Sequence, residues 1–394
     1  MNDTLDVTIT DVAYRGAGVA RVDRWVVFVP GALPGEQVRI RVTRRKKQYG
    51  EAVIEKILVP SPQRVPPACP LAGTCPGCSY QSAAYAEEVR LKQAQLAQLL
   101  QRGAKISPDI LLPPLASPQF LHYRNKIVLH GDDHGRLGYF ATDNTSILDV
   151  PACPLAHPSI NARLTELRAD PAFMNTLRAR QSLTLRHTET DGALHWLGRP
   201  DPKAPWLRES SRLGLLHVPR GSFFQVNPGA ANLLLDTAQA WLREQQPRAV
   251  VDLYCGVGVF ALAAAQAGVP AAFGIDSDPA AIEAATRNAQ ELNLPAATFS
   301  CGAAQDDVRA ALARFPADTT LLIVDPPRMG LTRELIADVA RARPAAMLYI
   351  SCAADTLARD LALLTAAGYK AQRAQLVDMF PRTAYFETLV LLTR

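Results

Sequence analysis

Four short apolar runs in the C-terminal half constrain the fold more than any other feature of this chain. Val250-Val251-Asp252-Leu253, Ala272-Phe273-Gly274-Ile275-Asp276, Leu321-Leu322-Ile323-Val324-Asp325 and Met347-Leu348-Tyr349-Ile350 lack the polar alternation of a half-wet strand. Runs of this kind are covered on both faces, and the helical stretches between them make each a member of a parallel sheet. From about Ser222 onward the chain therefore predicts a doubly wound, Rossmann-like α/β domain. Such sheets hold their ligands outside the carboxyl ends of the strands. Three of those ends carry chemistry here: Asp252 leads into Tyr254-Cys255-Gly256-Val257-Gly258, Asp325 into Pro326-Pro327-Arg328, and Ser351 into Cys352.

The earlier residues have another rhythm. Leu5-Asp6-Val7-Thr8-Ile9, Trp25-Val26-Val27-Phe28-Val29 and Gln37-Val38-Arg39-Ile40-Arg41-Val42 alternate as strands, separated by Gly16, Gly18, Pro30-Gly31 and Pro34-Gly35. They predict a small barrel of about five strands over residues 1–60. Arg44, Arg45, Lys46 and Lys47 give it a cationic hairpin, which is either a solvated turn or a nucleic-acid contact. Prolines from Pro60 to Pro70 stiffen the passage into a β-rich region spanning 61–220, and a third region spans 221–394. Residues 82–103 read as a helix with Glu87, Glu88, Arg90 and Lys92 on its wet face and Leu96, Leu99 and Leu100 on its dry one. Tyr123–Leu129 and Ser182–Arg186 read as strands.

Over 394 residues, 48% hydrophobic and 20% charged describe an ordinary globular protein, and a net charge of +5 permits a polyanionic partner without demanding one. The acidic start does not suit a secretory leader, and the apolar stretch from Val250 to Phe273 is too interrupted to span a membrane, so a cytoplasmic protein is expected. Seven cysteines, an odd number, argue against a fully paired disulfide framework. Cys69, Cys75 and Cys78 cluster, with Cys153 apart; four thiolates suit zinc or an iron–sulfur cluster, and spacing alone does not choose.

The glycine turn after Asp252 suits a nucleotide-type cofactor or merely a tight strand-to-helix turn. Asp276, ending the next strand, can take the two hydroxyls of an adenosine ribose. A dinucleotide loop favours a third glycine where Ala261 and Leu262 stand, so S-adenosylmethionine fits better than a nicotinamide. Asp-Pro-Pro followed by an aromatic suggests amine methylation, but Arg328 follows here.

Phe223-Phe224-Gln225-Val226-Asn227, Asp252 through Gly258, Asp325 through Arg328, Ser351-Cys352 and Asp378 through Glu387 stand in the order and spacing of one family. The chain resembles the RNA uracil-5-methyltransferases, nearly end to end. Residues 4–59 resemble that family's TRAM barrel, and Cys69, Cys75, Cys78 and Cys153 resemble its iron–sulfur ligands. The resemblance implies S-adenosylmethionine as cofactor, a 4Fe–4S cluster with zinc as the alternative, and a structured RNA substrate. Ribosomal RNA is favoured over transfer RNA, with no membrane partner and a monomeric enzyme. It assigns Cys352 as nucleophile, Glu387 as base, and Gln225, Tyr254, Asp276 and Asp325 to the cofactor region and the uracil edge. Departures include Ala353 where the family usually carries Asn, Ala303 where a polar side chain often meets adenosine, and Arg382 and Tyr385 in place of histidines. The first two favour the competing reading, an RNA-binding protein with a worn catalytic domain.

Overall fold

The computed structural model describes residues 4–394. Strands β1 (Thr4–Val12), β2 (Ala17–Val22), β3 (Trp25–Pro30), β4 (Gln37–Arg45) and β5 (Tyr49–Val59) close into a barrel in the order β1-β2-β3-β5-β4. Their inward residues, among them Val7, Ile9, Val27, Val29, Val38 and Ile40, make its core. The cationic segment forms the exposed β4–β5 hairpin, where the Arg45 guanidinium lies 4.5 Å over the Trp25 ring.

Helix α1 (Tyr85–Leu99) follows the cysteine-bearing loop and relaxes into a wider turn over Leu100–Ala104. Leu96 and Leu100 pack as expected, but into the core of the C-terminal sheet beside Val251 and Tyr349. The expected wet face is only half correct. Glu88 and Lys92 are fully buried, because Lys92 Nζ donates to Glu88 at 2.8 Å and to Asp378 at 2.7 Å. Charged residues read as solvated by helical periodicity alone, and only a partner 286 positions away reverses that reading.

The central region holds β6 (Lys126–Gly131), β7 (Leu137–Phe140), β8 (Ile147–Asp149), helices α2 (Pro158–Ala169) and α3 (Pro171–Met174), β9 (Ser182–Thr188) and β10 (Gly192–Leu197). These strands form one sheet, β10-β9-β6-β7-β8, and β11 (Leu207–Ser211) pairs with β12 (Gly214–Val218) as a hairpin. The expected strand over Tyr123–Leu129 starts later, at Lys126, since the backbone of Asn125 is occupied by the carbonyl of Val226 at 2.9 Å.

After α4 (Pro228–Gln245) the chain alternates β13 (Ala249–Leu253), α5 (Val259–Gln266), β14 (Ala271–Asp276), α6 (Pro279–Glu291), β15 (Ala297–Cys301), α7 (Ala304–Leu312), β16 (Thr320–Val324), α8 (Arg333–Ala342), β17 (Ala346–Ser351) and α9 (Ala354–Ala366). β18 (Lys370–Val377) and β19 (Glu387–Thr393) complete a seven-stranded sheet ordered β15-β14-β13-β16-β17-β19-β18. All four apolar runs lie in it as parallel strands, while β19 enters antiparallel between β17 and β18. The reversal sets Thr388 opposite Ser351, and so brings Glu387 to the strand ends where Cys352 emerges. Among the described residues, no helix is long and apolar enough to cross a membrane.

Candidate active site

Two groups of strand ends build the site. At the end of β13 the backbone enters Tyr254 with φ of 66°, a left-handed conformation that an aromatic residue seldom adopts outside a constrained site. Gly258 continues the turn at φ 90°, and a Cβ there would stand 2.7 Å from Phe299 Cζ. Position 258 therefore has no room for a side chain. Beneath it, the buried Asp252 carboxylate accepts from the Ala261 N–H at 2.9 Å. Asp276 accepts from the N–H groups of Gly256 and Asp278, each at 2.9 Å. Tyr254, Gly256, Phe224, Gln225 and Asp325 line one pocket against this turn, and Gln225 Oε1, buried, has no hydrogen-bond partner within the protein. An unsatisfied buried acceptor beside a glycine turn and a fresh helix start is what a bound nucleoside's donors would complete. Of the four residues expected at the cofactor, Gln225, Tyr254 and Asp325 share this pocket, whereas Asp276 braces the turn from behind.

The second group lies at the ends of β16, β17 and β19. Cys352 is half-buried; burial pushes its thiol up to about 11, the Glu387 and Asp325 carboxylates add to the rise, and Arg328 opposes it by charge and hydrogen bond. Burial holds the Glu387 carboxyl well above the usual range, Asp325 adding and Arg328 opposing. Burial likewise raises Asp325 to about 7. Glu387 Oε2 has no partner within the protein. Arg328 lies 4.2 Å over the ring of Tyr385, a residue that departs from the family pattern. The cluster thus holds a thiol, two carboxyls of raised proton affinity and a guanidinium, which equips it for nucleophilic addition and proton removal.

Supports for this group come from far along the chain. Asn227 caps α4 through Oδ1 and donates through Nδ2 to the carbonyl of Met379 at 3.1 Å. Arg382, at φ 68°, donates to the carbonyl of Ala83 at 2.6 Å, while its own carbonyl accepts from the N–H groups of Ser79 and Tyr80. With Lys92, Glu88 and Asp378 it forms a buried set of two cations and two anions below the loop that precedes Glu387. Nothing in the local sequence signals Lys92 or Glu88 as part of the site.

Cys69, Cys75, Cys78 and Cys153 line a second pocket, of about 320 Å³. Burial pushes Cys78 up to about 12 and raises Cys69 and Cys75, and neighbouring thiols add to each rise. Burial thus favours the neutral thiols here, and a cationic centre among them would reverse that preference. Asn161 from α2 fixes Cys153, accepting from its N–H at 2.9 Å and donating to its carbonyl at 3.0 Å. Gln81 Nε2 donates to Cys78 Sγ at 3.5 Å, and Tyr139 Oη and Arg124 Nε, also at the pocket, have no partner within the protein. These residues fit a metal cluster: four soft ligands line one pocket, with spare donors in its walls.

Comparison with known proteins bears on this geometry. Residues 209–394 match the family model described as tRNA (Uracil-5-)-methyltransferase, and residues 2–54 match the TRAM domain. The chain is 32% identical to the 23S rRNA (uracil(1939)-C(5))-methyltransferase RlmD of Klebsiella pneumoniae, over 99% of this chain and 96% of that protein. The chain belongs to the RNA (uracil-5-)methyltransferases. A Thermosynechococcus vestitus protein named as an uncharacterized RNA methyltransferase is 31% identical over 99% of this chain and 98% of its own length. The crystal structure of Pyrococcus abyssi tRNA (uracil-54, C5)-methyltransferase in complex with S-adenosyl-L-homocysteine superposes with a TM-score of 0.77 at 25% identity, covering 98% of this chain and 99% of that one. The enzyme is thus an S-adenosylmethionine-dependent RNA methyltransferase with an N-terminal TRAM barrel.

Proposed function

We propose that the enzyme methylates carbon 5 of a uridine in 23S ribosomal RNA through a covalent Cys352–uracil adduct. The observation that carries this reading is the grouping of Cys352, Glu387, Asp325 and Arg328 on adjacent strand ends. Carbon 5 of uracil is a weak nucleophile. Addition of the Cys352 thiolate to carbon 6 forms an S–C bond and moves electron density to carbon 5. S-adenosylmethionine supplies the electrophilic methyl group when bound beside Gln225, Tyr254, Asp276 and Asp325. Glu387, whose burial strengthens it as a proton acceptor, takes the hydrogen from carbon 5. The S–C bond then breaks and the thiolate returns. Asp325, half-buried where the two groups meet, is suited to hydrogen-bond the ring edge.

The base must leave its stack to be reached from both faces, at a cost of about a few kcal/mol. Phe223 and Met329, 70% and 77% exposed, offer apolar surface beside the site that can offset part of this. Ribosomal RNA is favoured by the likeness to the ribosomal enzymes at full length. Cys69, Cys75, Cys78 and Cys153, which line one pocket, would hold a 4Fe–4S cluster. The cluster would serve structure, because methyl transfer moves no net electrons. The chain is read as three parts, 1–60, 61–220 and 221–394, acting as a cytoplasmic monomer.

Cys352→Ala is expected to abolish methylation while RNA binding persists, and Glu387→Gln to trap an RNA adduct that survives denaturant. Methylation by Cys352→Ala would sink the mechanism. Nucleoside digests of ribosomal and transfer RNA after incubation with labelled cofactor decide the substrate, and label confined to transfer RNA would reject the ribosomal assignment.

A further inference from the structure

The helix that follows Cys352 begins without a cap of its own. α9 has Ala353 at its N-cap position, and no side chain there can accept from the first turn. Within the first turn Asp355 Oδ1 accepts from the Thr356 N–H at 3.0 Å, which leaves the N–H at the very start of the helix to a partner from outside it. Ser351 secures the backbone on one side, accepting from the Ala353 N–H at 3.1 Å. The N–H of Ala354 is met from the opposite end of the chain, where the Tyr14 hydroxyl accepts it at 3.2 Å.

Tyr14 stands in the turn between barrel strands β1 and β2. Its ring meets Phe386 edge-on, with centroids 6.3 Å apart and planes at 77°, and Phe386 directly precedes Glu387. One side chain of the barrel therefore touches the segment carrying the thiol and the segment carrying the base. The turn itself is wedged in place: the Ser79 N–H donates to the Arg382 carbonyl at 2.9 Å, and a Cβ on Gly16 would come within 2.7 Å of Ser79 Cβ. Burial, with Asp355 next, pushes the Tyr14 hydroxyl up to about 12, so it stays protonated and accepts through a lone pair across the working pH range.

We propose that Tyr14 is a positioning residue for methyl transfer, its hydroxyl standing in for the missing cap on α9 and fixing the backbone that aims Cys352 at the base. The inference rests on the assignment of Cys352 as nucleophile. A thiol emerging between a strand end and an unsecured helix start can wander by a fraction of an ångström, enough to slow attack without weakening RNA binding. The same contact makes docking of the barrel a condition for an ordered nucleophile.

Tyr14→Phe removes the hydroxyl and keeps the ring against Phe386. It is expected to lower kcat about tenfold while KM for a uridine-containing RNA stays within about twofold. Amide hydrogen exchange in the peptide spanning residues 353–357 is expected to quicken. Adding Ala353→Asn to Tyr14→Phe gives α9 an acceptor of its own for the neighbouring Asp355 N–H, and should return part of the exchange protection. Unchanged kcat and exchange in Tyr14→Phe overturn the proposal. A rise in KM with kcat intact also overturns it, making the hydroxyl an RNA contact. No gain of exchange protection on adding Ala353→Asn counts against fraying of the helix start as the cause of the loss. The exchange readout needs no catalysis, so activity in Cys352→Ala would sink the nucleophile assignment while leaving the Tyr14–Ala354 contact separately measurable.

Discussion

The two halves of the site are held in different ways. Around the cofactor pocket the supports are close in sequence: Asp252 secures Ala261, Asp276 secures Gly256 and Asp278, and Gly258 lets Phe299 close over the turn. Around Cys352 and Glu387 they come from the barrel, from α1 and from the cysteine loop, through Tyr14, Lys92, Glu88 and the Ser79–Tyr80 backbone. The cofactor turn is held within the parallel sheet, with Phe224, Gln225 and Asp325 completing its pocket, whereas the catalytic half is an assembly that exists only when the whole chain is folded. Damage to one should stay local, and damage to the other should spread.

The largest effect is expected where that difference is greatest. Lys92→Met leaves Glu88 and Asp378, both fully buried, without the cation they share, Arg382 reaching only Glu88. Breaking a buried pair from one side costs on the order of 3–5 kcal/mol. Chemical denaturation should show that loss, and methylation should fall with it although Lys92 lies outside the pocket. A stability within about 1 kcal/mol of the parent enzyme would mean the network is slack, and the contrast between the halves would fail.

A smaller and more local loss is expected on the cofactor side. Gly258→Ala places a Cβ 2.7 Å from Phe299 Cζ and 3.0 Å from Ala285 Cβ at a φ of 90°. Overpacking of this kind costs about 1–3 kcal/mol. Calorimetric titration should show weakened S-adenosylmethionine binding while binding of RNA is retained. Equal loss of both ligands would show that the turn is not self-contained.

The same contrast explains what could be read from sequence. The doubly wound sheet was legible because buried parallel strands show as unbroken apolar runs, and the barrel because its strands alternate between Gly- and Pro-marked turns. Cys69, Cys75 and Cys78 stood out through residue type and spacing, whereas Cys352, Glu387 and the distant Cys153 took their roles from the family resemblance. Lys92 and Glu88 did not, because helical periodicity places charges in solvent unless a distant partner is known. Tyr14 was equally silent: nothing in a β-turn tyrosine announces that it will meet a helix start 340 residues later. The antiparallel entry of β19 was also missed, since its central Leu389–Leu392 is an unbroken apolar run and carries no mark of direction. Ala353 read alone suggested a worn site, and the fold answers with a partner that only tertiary structure supplies.

The finest test concerns charge rather than packing. Arg328 is the cation that lowers the proton affinity of both Cys352 and Glu387, against burial and against Asp325. Replacing it by Gln removes that pull from each. Below its pKa the thiol is mostly protonated, so every unit of further rise cuts the thiolate fraction about tenfold, equivalent to about 1.4 kcal/mol. Alkylation of Cys352, followed by mass spectrometry of its peptide, should therefore slow at pH 8 and recover only at higher pH. The rising limb of the methylation profile should move the same way, because Glu387 must also lose its proton before it can accept one. Arg328→Lys keeps the charge but forfeits the planar contact with Tyr385, so its curves should fall between the two. An alkylation profile in Arg328→Gln that overlays the parent enzyme would show that the guanidinium does not govern the thiol, and would leave the catalytic half without its electrostatic organiser.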